Sequence, residues 1–245
     1  LRLVVTAVCF FSMLTCVAAM ADTVLKYNVN ASSGWVPYYI PHQDDKPGIL
    51  GEIVPLLMAT AKIDIQKHNL PPRRTNQAIE NGDLDFDFVS PDWFPNHDLG
   101  ELFVQSEPLM PIKEFIITTK ANADAWADIN KIKGQRIGTV RGYYYHDTDQ
   151  FTRVDFSSER ELIKAISKNR VQAAISGDLP ALYWAKELNM PISLAALHSD
   201  GYLVMRLRKE HAHLLPAINS AIKQLQQQGN VEQLIDKYTK AEVFQ

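Results

Sequence analysis

The feature that most constrains this chain is a helix–turn–strand unit that occurs twice. It appears at residues 78–93, AIENGDLDFDFVSPDW, and again at residues 165–178, AISKNRVQAAISGD. Ala78 and Ile79 fall on Ala165 and Ile166, Leu84 on Val171, Phe88 on Ile175 and Pro91 on Asp178. Gly82 falls on Asn169, and both residue types accept the left-handed backbone that stops a helix. Each unit predicts a helix, a tight turn, a buried strand and a polar exit, which in the first copy is Ser90-Pro91-Asp92-Trp93. Two such halves predict a ligand site between them, because open α/β sheets bind ligands outside the carboxyl ends of their strands.

The rest of the chain keeps the same alternation. Strands are expected at residues 23–29, 115–119, 136–140, 154–156, 171–176, 192–197 and 201–207. Ile53, Leu56, Leu57 and Ala61 recur at helical spacing, with Pro55 expected in the first turn, where its missing N–H costs little. A second helix starts near Thr75, and residues 143–150 and 180–188 are expected as two more. Ser158 and Glu161 form a capping box ahead of a helix that buries Leu162, Ala165 and Ile166. Two C-terminal helices close the chain, the first with Ile218, Ala221, Ile222 and Leu225 on one face. This order implies a mainly parallel sheet with right-handed crossovers.

The 245 residues suit one large domain or two lobes. Residues 3–19 are apolar but short of the roughly 20 residues that span a membrane, and they end in Ala19-Met20-Ala21 before Asp22. Residues 1–21 are therefore expected to be a cleaved secretory signal peptide, with a retained anchor as the alternative. Both cysteines, Cys9 and Cys16, lie in this segment, so the mature chain is expected to fold without disulfides or thiolate metal sites. Removing Arg2 takes the formal net charge from −3 to −4, and no long basic cluster remains, which argues against nucleic acid as a partner.

No catalytic signature, phosphate-cradling glycine loop or cofactor motif is present. His211-x-His213 is read as a solvated pair rather than a metal site, since no thiol or carboxylate set accompanies it. Asp83, Asp85 and Asp87 alternate along a strand and are read as a solvated face. The candidate binding residues stand at strand ends: Trp35, Tyr38 and Tyr39, then Ser90, Asp92 and Trp93, then Arg141, Tyr143 and Tyr144, then Asp178. An arginine would grip a carboxylate by paired charge-assisted hydrogen bonds, and Asp178 would accept from an ammonium. The same residues read equally well as core aromatics and surface loop charges, and spacing does not separate the two.

In order along the chain, several landmarks resemble the periplasmic solute-binding proteins of the polar amino-acid family, the receptors of ABC importers. They are Gly34-Trp35-Val36-Pro37-Tyr38, the turn and helix at residues 48–61, the unit at residues 78–90 and Ser106-Glu107-Pro108-Leu109. Ile132-Lys133-Gly134-Gln135-Arg136-Ile137-Gly138 follows, with Arg141-Gly142 at the strand's end, and the last is Gly229 with Ile235-Asp236-Lys237-Tyr238. The resemblance spans the mature chain. It implies an α/β, two-lobe periplasmic-binding-protein-like fold (type II), each lobe a mainly parallel sheet flanked by helices, the two joined by two crossover strands. Lobe 1 would hold residues 22–111 and 201–245, and lobe 2 residues 112–200.

The resemblance further implies a periplasmic monomer without cofactor or metal, not an enzyme, that delivers a small polar ligand to an inner-membrane permease or sensor. A periplasmic enzyme on the same scaffold, similar to cyclohexadienyl or prephenate dehydratase, is the alternative. Trp35 and Tyr38 would stack on the ligand, Ser90 and its neighbours and Arg141 to Tyr143 would meet it, and Asp178 would take an amino group. The chain departs from the family at one point. The carboxylate-binding arginine that usually follows the first unit is missing: either Arg141 or Arg74 replaces it, or the ligand is not an ordinary α-amino acid. Gln172 also stands where the family commonly has aspartate.

Overall fold

The computed structural model describes residues 24–29 and 35–239. The expected signal peptide and both cysteines lie outside them. The chain runs β1 (Leu25–Tyr27), α1 (Ile49–Ala61), β2 (Ile65–Lys67), α2 (Pro72–Asn81), β3 (Phe86–Val89), β4 (Phe103–Gln105) and β5 (Met110–Thr119). It continues with β6 (Arg136–Val140), β7 (Thr152–Phe156), α3 (Glu159–Ser167), β8 (Ala173–Gly177), α4 (Asp178–Glu187) and β9 (Ile192–Arg208), and ends in α5 (Leu215–Gln227) and α6 (Asn230–Thr239).

The strand order is β2-β1-β3-β9-β5-β8-β6-β7, with β4 also on β9. The parallel pairs lie at the two ends, β1 with β2 and β3 in one lobe, β6 with β7 and β8 in the other. Every antiparallel pair involves β5 or β9, the two strands that cross between the lobes. The result is two α/β lobes on mixed sheets, held together by one long antiparallel ribbon.

Both copies of the repeated unit stop as their sequences predict. Gly82 caps α2 at φ 84°, and Asn169 after α3 sits at φ 52°. Ser158 caps α3, its Oγ accepting from the N–H of Glu161. In lobe 1, α1 buries Ile49, Leu50, Ile53, Val54, Leu57 and Met58, packing against α5 and α6. In lobe 2, α3 and α4 bury Leu162, Ile166 and Ala181 against one face of the sheet, and Trp126, Ile132 and Ile137 pack on the other.

Several expectations are corrected. Helix α1 begins early enough to put Pro55 in its body, because the N–H groups of Ile49 and Leu50 find partners in the carbonyls of Pro37 and Tyr38. Residues 143–150 form turns and no helix. The two strands expected at residues 192–197 and 201–207 are one strand, since β5 pairs with the polar stretch between them and Lys113 bonds Asp200 at 3.0 Å. Asp85 and Asp87 are not a solvated face. Both are buried, Asp85 accepting from the Lys26 N–H and lying 3.1 Å from His211, Asp87 clamping Arg206. His211 is therefore paired rather than simply solvated.

Candidate ligand-binding site

The lobes meet over a partly open cavity of about 50 Å³. Lobe 1 supplies Trp35 and, around β3, Asp87, Val89 and Trp93; lobe 2 supplies Tyr143, Glu159 and Ser176, among others; β5 supplies Ile112 and Glu114 beneath them. A space of that volume holds a few waters or a compact ligand. The lobes touch around it. Asn76 in α2 donates to the Gly142 carbonyl at 2.8 Å, and the Phe94 and Tyr144 rings are 4.4 Å apart. Gly142, at φ 86°, packs so closely that a Cβ would lie 2.7 Å from the Arg73 nitrogen. No other residue type fits that approach easily.

The aromatic wall begins at Trp35, whose ring lies edge-on to Trp93 at 6.1 Å and against Tyr38 at 4.4 Å. Trp93 is placed by the turn that follows β3. There Ser90 Oγ accepts from the Asp92 N–H and bonds the Asp92 carboxylate, which leaves the indole facing the cavity. A Cβ on Gly201 would fall 1.9 Å from Asp92 Oδ2, so β9 leaves just enough room for this turn.

Three acids line the cavity, each in a different state. Asp87 is neutralised by Arg206, whose Nε and Nη2 donate at 2.9 and 2.6 Å. The Arg206 guanidinium is also enclosed by the Phe94, Phe103 and Tyr144 rings. Glu114 bonds Ser199 and His198, and His198 in turn bonds Asp147 at 3.0 Å. Burial pushes His198 down, but its bonds to Asp147 and Glu114 outweigh that and raise it to about 9, so it is cationic at neutral pH. Glu159 opens α3. Burial pushes its carboxyl up to about 7, although Tyr143 Oη donates to Oε1 at 2.7 Å.

Three buried polar atoms among the residues lining this cavity have no hydrogen-bond partner: Glu159 Oε2, Ser176 Oγ and Trp93 Nε1. Buried polar groups are nearly always paired, so these three atoms are the candidates for contact with a ligand. The set offers one indole donor, one hydroxyl and one carboxylate oxygen.

Of the candidate residues from sequence, Trp35, Trp93, Tyr143 and Tyr144 line the cavity. Tyr38 is buried behind Trp35, and Ser90 and Asp92 form the turn that places Trp93. Asp178 stands at the start of α4, where burial raises its carboxyl while the Leu179 N–H donates to it. Arg141 is exposed, and Arg74 borders a separate shallow depression with Lys26 and His68. Glu159, Ser176 and Glu114 escaped the sequence reading. Glu159 looked like an ordinary first-turn acid, and only its position beside the capping serine Ser158 set it apart.

Two groups have cation-binding geometry, His146 with Asp147 and His198, and Asp85 with Glu210 and His211. In both, the side chains are already engaged, with one another or, for Glu210, with Arg208 at 3.0 Å. Neither is assigned a metal.

No protein-family profile matches the chain, and no curated protein sequence matches it. Solved structures do. An amino acid ABC transporter substrate-binding protein, AbpA from Streptococcus pneumoniae, bound to L-arginine, superposes with a TM-score of 0.70 at 17% identity, over 89% of this chain and 95% of that one. The GluR0 ligand binding core in complex with L-glutamate gives 0.71 at 14% identity, over 88% and 98%. A histidine kinase sensor domain with similarity to periplasmic binding proteins gives 0.72 at 14% identity, over 88% and 95%. At these identities the likeness establishes the shared two-lobe, periplasmic-binding-protein-like fold.

Proposed function

We propose that this chain is a solute-binding receptor that closes on an amino acid or related small polar molecule and feeds an ABC-type importer. The observation that carries this reading is the partly open cavity between the lobes, with unpartnered polar atoms contributed from both sides. A ligand bonded to Trp93 in one lobe and to Glu159 or Ser176 in the other would favour the closed arrangement by its own binding energy. The lobes are taken as residues 22–111 with 201–245, and residues 112–200, joined by β5 and β9. The reading includes export to the periplasm by the N-terminal segment and action as a monomer. Among the described residues no helix is long and apolar enough to cross a membrane.

Binding is favoured over turnover because the solved structures that share the fold are a substrate-binding protein, a ligand binding core and a sensor domain. A role in signalling is the second reading, favoured by the likeness to a histidine kinase sensor domain. In either role the partner is a protein of the inner membrane.

Titration calorimetry against a panel of amino acids and amines tests the proposal. One-to-one binding, with a compaction seen by small-angle scattering, is expected. If no member binds at millimolar concentration, the receptor reading is abandoned; turnover of a prephenate-like substrate would replace it with an enzyme.

A further inference from the structure

We propose that the cleft selects a small protonated amine that carries a neutral hydrogen-bond acceptor and no free carboxylate. This rests on the receptor reading and narrows its ligand class.

The charges around the cavity are one-sided. Asp87, Glu114 and Glu159 line it, and among the described residues no arginine, lysine or histidine does. The nearest buried cation, Arg206, is held in a two-point clamp by Asp87. His198 is shared between Glu114 and Asp147, so that triad remains net negative when all three are ionised. Arg141 is exposed and Arg74 borders the other depression.

A ligand carboxylate would enter a cavity whose walls are already acidic, with neutral donors such as the Trp93 N–H and the Ser176 hydroxyl, and no cation among the described lining residues, to receive it. Burying an ion without a counter-charge is strongly unfavourable. An ammonium meets the opposite situation. Glu159 Oε2 is buried, unpartnered and able to accept a charge-assisted hydrogen bond. The rings of Trp35, Trp93 and Tyr143 line the same space and present faces that attract cations. The indole N–H of Trp93 is a donor only, so the ligand must also offer an acceptor, which a hydroxyl, amide or ring nitrogen provides.

Matched pairs differing in the α-carboxylate test this on the full chain by calorimetry: glycinamide with glycine, ethanolamine with serine, putrescine with ornithine, histamine with histidine. In the pair that binds best, the member without the carboxylate is expected to bind at least about tenfold tighter. Glu159→Gln is expected to lower affinity for that member about tenfold while moving its carboxylated partner's less. A carboxylated member that binds equally well or better overturns the selectivity and leaves the receptor reading standing. If no member of any pair binds at millimolar concentration, the receptor reading falls and this inference with it.

Discussion

The two copies of the helix–turn–strand unit fold alike but satisfy their polar groups differently. In the first, charge is neutralised inside the lobe. Asp87 clamps Arg206, and Asp85 accepts from the Lys26 backbone and meets His211. In the second, the matching positions are Ala174, fully buried, and Gln172, exposed. Its polar group points to the cleft instead, where Ser176 stands without a partner. One strand pairs its polar groups within its lobe, and the other leaves a buried hydroxyl unpaired at the cleft. The same secondary structure thus gives one lobe a rigid anchor and the other an unfinished contact surface.

The contrast breaks most directly at Asp87. Asp87→Ala makes the first strand resemble the second but leaves Arg206 charged and buried. A loss of about 3–5 kcal/mol in urea unfolding is expected. A loss below 1 kcal/mol or so would mean the clamp does not anchor lobe 1.

Glu159 sharpens the other half. Its carboxyl titrates near 7 in the folded protein, above the ordinary value of 4.5, so the native state holds the proton more tightly than the unfolded chain does. Its stabilising effect is complete below about pH 4.5 and is lost as pH rises through 7. Tyr143 Oη donates to it, and burial raises the hydroxyl of neighbouring Tyr145. Glu159→Gln should therefore stabilise the ligand-free protein at pH 8, by on the order of 3 kcal/mol, and change it little at pH 4. Equal effects at both pH values would show that the carboxylate is not buried unpaired.

The crossover strands carry a third case, a charge satisfied by groups from separate elements. His198 titrates near 9 rather than 6.5, so its contribution is full below 6.5 and is lost as pH rises through 9. Between pH 6 and pH 9.5 the wild type should lose on the order of 3 kcal/mol that His198→Gln does not. Parallel unfolding curves for the two proteins across that range would remove His198 from the account.

The smallest expected effect tests how tightly the second strand is packed. A Cβ on Gly138 would lie 2.9 Å from both the Ala174 and Leu162 side chains. Gly138→Ala should cost about 1–3 kcal/mol in thermal or urea unfolding. A neutral result would show that β8 and α3 yield easily, and that apolar packing does not replace the clamp of lobe 1.

Much of this molecule is legible in the residues. The left-handed stops at Gly82 and Asn169, the Ser158 cap, strand β6 and the buried face of α5 follow from local preference and periodicity. The candidate site is legible in part. Trp35, Trp93 and Tyr143 stand at strand ends, where aromatics are easy to notice. Glu159 and Ser176 are not, because nothing near them in sequence distinguishes a first-turn acid or a strand serine from hundreds of others.

The sequence by itself determined the alternation of strands and helices, the two-fold repetition of its central unit and the absence of an arginine after the first copy. Those properties depend on residues a few positions apart, and local sterics and hydrogen bonding set them. Only the tertiary structure decided which acids are neutralised and which are left open to the cleft. Asp87 meets Arg206 across 119 residues of chain and His198 meets Glu114 across 84, while Glu159 keeps one oxygen unpartnered. Whether a charge is satisfied depends on what the fold brings beside it, and no local pattern encodes that neighbour.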